Sequence, residues 1–166
     1  GLHVTNSRHA HLGVLPGPAM AAASSYRITI NGVQAHGSRP WDSVDPIMAT
    51  AQLIESLNTV VSRRINIINN PAVISVGMVQ AGTRNNIIPD KSQITGTIRT
   101  FDPDLRAEIY DEIRQIARGV AEGTGTKVDV EFDVGGFYPV TFNNVELNNK
   151  YSQTLSEAAD GKFFIL

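Results

Sequence analysis

Histidine, asparagine and arginine side chains in three short stretches are the groups of this sequence best placed to do chemistry. His36 stands in Ala35-His36-Gly37-Ser38-Arg39-Pro40-Trp41. A histidine beside glycine, just past a strand, can aim its ring at something outside its own domain, or it can be an ordinary loop residue. The second stretch is Gly82-Thr83-Arg84-Asn85-Asn86-Ile87-Ile88-Pro89-Asp90. Asn85 and Asn86 there are either turn residues, whose side chains bond their own backbone, or amide donors to a substrate oxygen. Arg99 can grip a carboxylate through two parallel bonds, or it can sit in a surface ion pair. His3, His9 and His11 lie near the start. A zinc site built from these three would have neither i,i+4 spacing nor a nearby carboxylate to orient the rings, so His9 and His11 read as loop residues.

Composition narrows the chemistry further. The 166 residues include no cysteine, which excludes a disulfide scaffold, a thiol nucleophile and a thiolate metal site within the chain. Fourteen Lys+Arg against 16 Asp+Glu leave a formal charge of −2, with no basic block to neutralise phosphates, so nucleic acid is not an expected partner. No apolar run approaches the roughly 20 residues that span a bilayer, and no signal segment opens the chain, so no membrane partner is expected and a cytoplasmic location is the default. No nucleophile elbow, phosphate-cradling loop or His-Glu-x-x-His pattern occurs. The residues alone supply a few donors and no complete active site.

The elements that must position these groups follow from periodicity. Residues 1–25, rich in Gly, Ala, Pro and Ser, read as a connector. Tyr26-Arg27-Ile28-Thr29-Ile30-Asn31 alternates as a strand with one buried face. Asp45-Pro46 caps a helix whose apolar positions run from Ile47 to Val61 and which ends near Arg63 or Arg64. Ala72 to Val79 is a second strand, and Lys91 to Phe101 holds a third. Asp102-Pro103 starts a second helix that Gly123 and Gly125 stop. Lys127 to Val134 alternates as a fourth strand. The order is β-α-β-β-α-β, an α+β, ferredoxin-like arrangement with a four-stranded antiparallel sheet and two helices on one face. Beyond it, Phe137 to Asn144 reads as extended and Val145 to Ala159 as helical. With Gly1 in place of a starting Met and an apolar end at Phe163-Phe164-Ile165-Leu166, both ends read as cut from something longer.

Three of these stretches together resemble the M20 metallopeptidase family, and within it the branch of hippurate and N-acyl-amino-acid amidohydrolases. They are Gly32-Val-Gln-Ala-His36-Gly-Ser-Arg-Pro-Trp-Asp-Ser-Val-Asp45-Pro-Ile, Gly82-Thr-Arg-Asn-Asn86-Ile-Ile-Pro-Asp90, and Gly96-Thr-Ile-Arg99-Thr-Phe101. The resemblance implies a lid and dimerisation domain over residues 21–136, flanked by catalytic-domain segments at 1–20 and 137–166. It implies a homodimer formed through the lid, with the first helix and the second strand expected at the two-fold interface. It further implies hydrolysis of the amide bond of N-acyl amino acids or small peptides, assisted by two divalent metal ions, typically zinc, manganese or cobalt. Residue by residue, His3 matches a metal ligand. His36 matches a lid histidine that reaches the partner subunit's active site and stabilises the oxyanion. Asn86 matches an asparagine of the same pocket, and Arg99 a group for the substrate carboxylate. Trp41 departs from a histidine common at its position. The other metal ligands and the catalytic glutamate have no match, so this chain alone is expected to be inactive. A stand-alone ferredoxin-like module that dimerises or binds a small molecule is the competing expectation. RNA binding is set aside, because the third strand offers Ile94, Gly96 and Ile98 where that use needs aromatic pairs.

Overall fold

A computed structural model describes residues 12–160 and 162–165 of the chain. Two compact units emerge, Ala22–Pro139 and a smaller one made of the segments on either side of it. In the smaller unit Gly17–Met20 pairs antiparallel with Thr141–Asn143, and Leu12–Val14 pairs parallel with Phe163–Ile165. A helix at Val145–Ala158 is capped by the Asn144 side chain, which accepts from the Leu147 amide at 2.8 Å.

The larger unit holds strands β1 (Ala22–Asn31), β2 (Ala72–Ala81), β3 (Lys91–Thr100) and β4 (Lys127–Phe132), with helices α1 (Pro46–Thr59) and α2 (Pro103–Thr124). The strands lie in the spatial order β2-β3-β1-β4, all antiparallel, which is the expected ferredoxin-like sheet. β1 begins at Ala22, four residues ahead of the alternating pattern. Ala22 to Ser25 lack a strand signature of their own, but pairing with Thr97 to Thr100 and the Ala23–Tyr138 bridge impose one. The connector expected over residues 1–25 is therefore corrected at its end.

Both helices start as their sequence signals require. Asp45 Oδ1 accepts from the amides of Ile47 and Met48 at 2.7 and 3.3 Å, and Asp102 Oδ1 from those of Asp104 and Leu105 at 2.8 and 3.3 Å, each with proline at the first helical position. Gly125 ends α2 in the left-handed conformation, with φ at 72°. Beyond Thr59, α1 widens into one π turn over Val60–Arg64, which ends at the arginine pair expected as the helix limit. No described helix is long and apolar enough to cross a membrane.

The core lies between the helices and one face of the sheet, where Tyr26, Ile28, Ile30, Leu53, Ile94, Ile109 and Ile113 are fully buried. Tyr26 lies opposite Gly96 across β1 and β3, and its hydroxyl donates to the Ser75 carbonyl at 3.2 Å. Gly96 makes room for that ring: a Cβ there would stand 2.4 Å from the tyrosine and 2.1 Å from Ser75 O. Burial pushes the Tyr26 phenol up from 10.0 to about 12, because the phenolate would lose its hydration.

Two outcomes follow for stability. Gly96→Ala should lower the unfolding free energy by about 3 kcal/mol through overpacking. Gly77→Ala in the neighbouring strand, where the nearest atom lies 3.8 Å from the new Cβ, should be neutral within about 1 kcal/mol. Equal midpoints in urea denaturation would refute the packing role of Gly96. Second, between pH 10 and about 12 the unfolded chain releases the Tyr26 proton while the native chain keeps it. Stability that is complete below pH 10 should therefore fall through that window, and a Tyr26→Phe variant should show a shallower decline.

Candidate functional site

His36 and Asn86 come together through a contact between segments far apart in sequence. Ala35–His36 forms a short antiparallel bridge with Ile87–Ile88, and the Gly37 amide donates to Asn86 O at 2.8 Å. Gly37 permits this approach, since a Cβ there would stand 3.1 Å from the same oxygen. The loop carrying His36 is closed by the Val33–Val44 bridge and by the Pro40–Asp42 turn, where Arg39 and Asp42 pair at 2.7 Å. Below it, the buried hydroxyls of Thr50 and Ser92, 2.6 Å apart, both reach Pro46 O and tie the first turn of α1 to the start of β3.

The His36 ring is exposed, and its orientation is fixed from one side. The Ser38 amide donates to Nδ1 at 3.2 Å, and Ser38 Oγ lies 2.8 Å from the same nitrogen. A backbone amide can only donate, so Nδ1 is an acceptor and the neutral ring carries its proton on Nε2. That leaves a single N–H pointing away from the loop, the form needed to donate to a developing oxyanion.

Asn85 and Asn86 occupy a turn closed by the Ile87 amide on Arg84 O at 3.3 Å. The turn reading is thus realised, but not through its side chains. Neither amide side chain makes a hydrogen bond among the described residues, and both are exposed. Next to them lies an open groove of about 500 Å³ lined by Gly37, Ile47, Arg84, Ile87 and Ile88, among others. Ile47 and Arg84 carry no sequence signal for such a role. The Ile87 pairing with His36 and the Thr50–Ser92 contact between α1 and β3, neither announced by a local pattern, place them there.

Arg99 is elsewhere. It projects from the sheet face opposite the helices, its Nη1 donating to Ile98 O at 2.9 Å and Ser24 O at 3.3 Å. The expected surface ion pair is not realised, for Arg99 has no carboxylate partner among the described residues. Its Nη2 and Nε make no hydrogen bond among the described residues. The His36–Asn86 cluster sits beyond the Lys91 end of β3, whereas Arg99 sits at the other end, about 26 Å along at roughly 3.3 Å per residue. One chain does not bring all three to one place. His3, with His9 and His11, lies outside the described residues. Among the described residues no three His, Cys, Asp or Glu side chains stand close enough to hold a metal ion.

Comparison with known proteins agrees with this architecture. Residues 21–124 match the model of the peptidase dimerisation domain of the M20 family. The chain is 38% identical over 148 residues to the N-acetylcysteine deacetylase of Bacillus subtilis, covering 89% of this chain and 37% of that protein. It is 32% identical over 157 residues to thermostable carboxypeptidase 2 of Saccharolobus solfataricus, covering 94% of this chain and 39% of that one. The chain therefore spans about two fifths of the length of these relatives. Among solved structures, an aminohydrolase from methicillin-resistant Staphylococcus aureus, named as putative, superposes with a TM-score of 0.81 at 25% identity, over 98% of this chain and 42% of that one. A dinuclear metal-binding peptidase of the M20 family from Bacillus subtilis gives 0.67 at 28%, over 93% and 36%. The four-stranded sheet with its two Asp-Pro-capped helices, and the matched residues 21–124, place this chain in the M20 peptidase dimerisation domain family.

Proposed function

We propose that this chain is the lid and dimerisation part of a metal-dependent amidohydrolase that cleaves the amide bond of N-acyl amino acids or related small peptides, and that it is inactive by itself. One observation carries the reading: the donors it offers, His36 Nε2–H and the Asn86 amide at one end and Arg99 at the other, suit the two polar ends of such a substrate but cannot meet within one chain. The relatives' names, a deacetylase of an N-acyl amino acid and a carboxypeptidase, support that substrate class.

A second copy solves the geometry. β2 is an edge strand, paired only with β3 among the described residues, and it exposes Val73, Met78 and Val79. Charges that usually guard an edge are missing from Ala72–Ala81. A two-fold axis normal to the sheet would pair β2 with its copy antiparallel, extend the sheet, and set α1 beside its counterpart. Antiparallel pairing puts the Ala72 end of one strand against the Ala81 end of the other. Arg99, paired with Val73, would then stand at the same end of the joined sheet as the second copy's His36 and Asn86.

In a site shared by the two copies the Arg99 guanidinium would hold the substrate carboxylate through its free donors. His36 Nε2–H and the Asn86 amide would stabilise the negative charge that develops on the scissile carbonyl oxygen. The described residues do not themselves form a metal centre. His3 is the one residue of the chain that matches a ligand, and the remaining ligands and the proton-shuttling glutamate would belong to the rest of the protein.

The test uses the product of the complete reading frame. Elemental analysis after dialysis should find two divalent ions per subunit, and chelation should abolish N-acyl-amino-acid hydrolysis. His36→Ala should lower turnover about 10²- to 10³-fold while leaving metal content unchanged. No metal, or full activity in the His36→Ala enzyme, would contradict the proposal.

A further inference from the structure

The loop between α1 and β2 presents two isoleucines to solvent, Ile67 at 42% exposure and Ile68 at 88%. Nothing in the loop's own geometry requires this. The Ile68 amide is held by Asn66 Oδ1 at 3.0 Å, and Asn70 Nδ2 donates to Asp102 Oδ2 at 2.6 Å, so both sides of the exposed pair are pinned. A fixed, uncharged loop that holds an isoleucine out in water is an apolar knob with its ordering cost already met.

The matching hole lies at the opposite end of the same strand. The groove lined by Ile47, Ile87 and Ile88 opens beyond Ala81, on the layer that contains the helices, because Ile47 belongs to the first turn of α1. The Ile67–Ile68 loop follows the end of the α1 segment, and Asn70 ties it to Asp102, the cap of α2, at the helix side of the sheet. A two-fold axis normal to the sheet keeps both helix layers on one side. It also sets the residues before Ala72 of one copy against those after Ala81 of the other.

We infer that Ile68 of one copy seats in the groove lined by Ile47, Ile87 and Ile88 of a second copy, with two such contacts flanking the paired β2 strands. This rests on the dimer proposed above and adds to it a definite occupant for the groove. The contact would also lock the loop carrying Asn86 in place as the dimer forms, since Ile87 and Ile88 follow that residue directly and pair with Ala35 and His36.

The chain's lack of cysteine makes a direct test available. Ile68→Cys and Thr83→Cys, both at exposed positions and the second lining the groove, are made singly and together in the full 166-residue chain. Within one chain the two sites are separated by the whole of β2, about 30 Å, far beyond the roughly 7 Å Cα separation a disulfide tolerates. Mild oxidation of the double variant should therefore give a covalent dimer, in at least tenfold greater yield than either single variant, with peptide mapping showing a 68–83 bridge. Sedimentation equilibrium of the unmodified chain reads the dimer separately. A dimer whose double variant yields no 68–83 bridge would overturn the inference and leave the dimer standing. A monomer at all concentrations would overturn both.

Discussion

The pairing of β1 with β3 governs what this domain can do. Two ten-residue strands run antiparallel in unbroken register from Ala22–Thr100 to Asn31–Lys91, at the centre of the sheet. Such a ladder is stiff, buried on the helix side, and fixed in register by Tyr26 lying over Gly96. It acts as a ruler. His36 and Asn86 are held beyond one end, Arg99 near the other, and no loop movement in a single chain closes a gap of about 26 Å. In the function proposed above, that separation is one a two-fold partner would bridge.

Local chemistry then sets each group at its end of the ruler. Asp45 and Asp102 start the helices, and the Thr50–Ser92 hydroxyl pair binds α1 to β3, which places Ile47 beside the groove. Gly37 lets the His36 loop lie against Asn86 O. Ser38 fixes the ring tautomer of His36 through an amide that can only donate. At the far end, Ile98 O and Ser24 O take Nη1 of Arg99 and hold the guanidinium on the open sheet face. A second cluster braces the end of the unit: Tyr110 stacks on Phe132 at 3.9 Å and donates to Asp133, while Arg106 covers Phe137 at 4.0 Å. These aromatic and cation–π contacts secure the segment that pairs back onto Ala23 through Tyr138.

Much of this is written in short-range pattern. The two Asp-Pro starts, the alternation of Tyr26 to Asn31 and of Lys127 to Phe132, the Val- and Ile-rich run from Ala72 to Val79, and the Ile94 and Ile98 face of Lys91 to Phe101 identify six elements and their order. The start of β1 is not written there, because Ala-Ala-Ser-Ser gains its strand conformation only from Thr97 to Thr100 and Tyr138. The nearness of His36 to Asn86 is likewise a product of tertiary pairing, and sequence marks each residue singly. Arg99 shows the reverse case. Its motif marks it as a carboxylate-binding group, but only the direction of β3 reveals how far it stands from the other two. Nothing in the sequence marks Ile47 and Arg84 as lining a groove; that depends on where the turn at Asn85–Asn86 folds against α1.

Subunit complementation tests most directly whether one site draws its groups from two chains. If the proposed function holds, His36→Ala and Arg99→Ala forms of the complete reading frame's product are each nearly inactive; they are unfolded together, mixed in equal amounts and refolded. Random pairing makes half the dimers mixed, and each mixed dimer regains one intact site, so activity should return to about a quarter of the unsubstituted enzyme. If the mixture stays as inactive as its parents while forming mixed dimers, His36 and Arg99 serve the same site from the same chain, and the two-fold account is wrong.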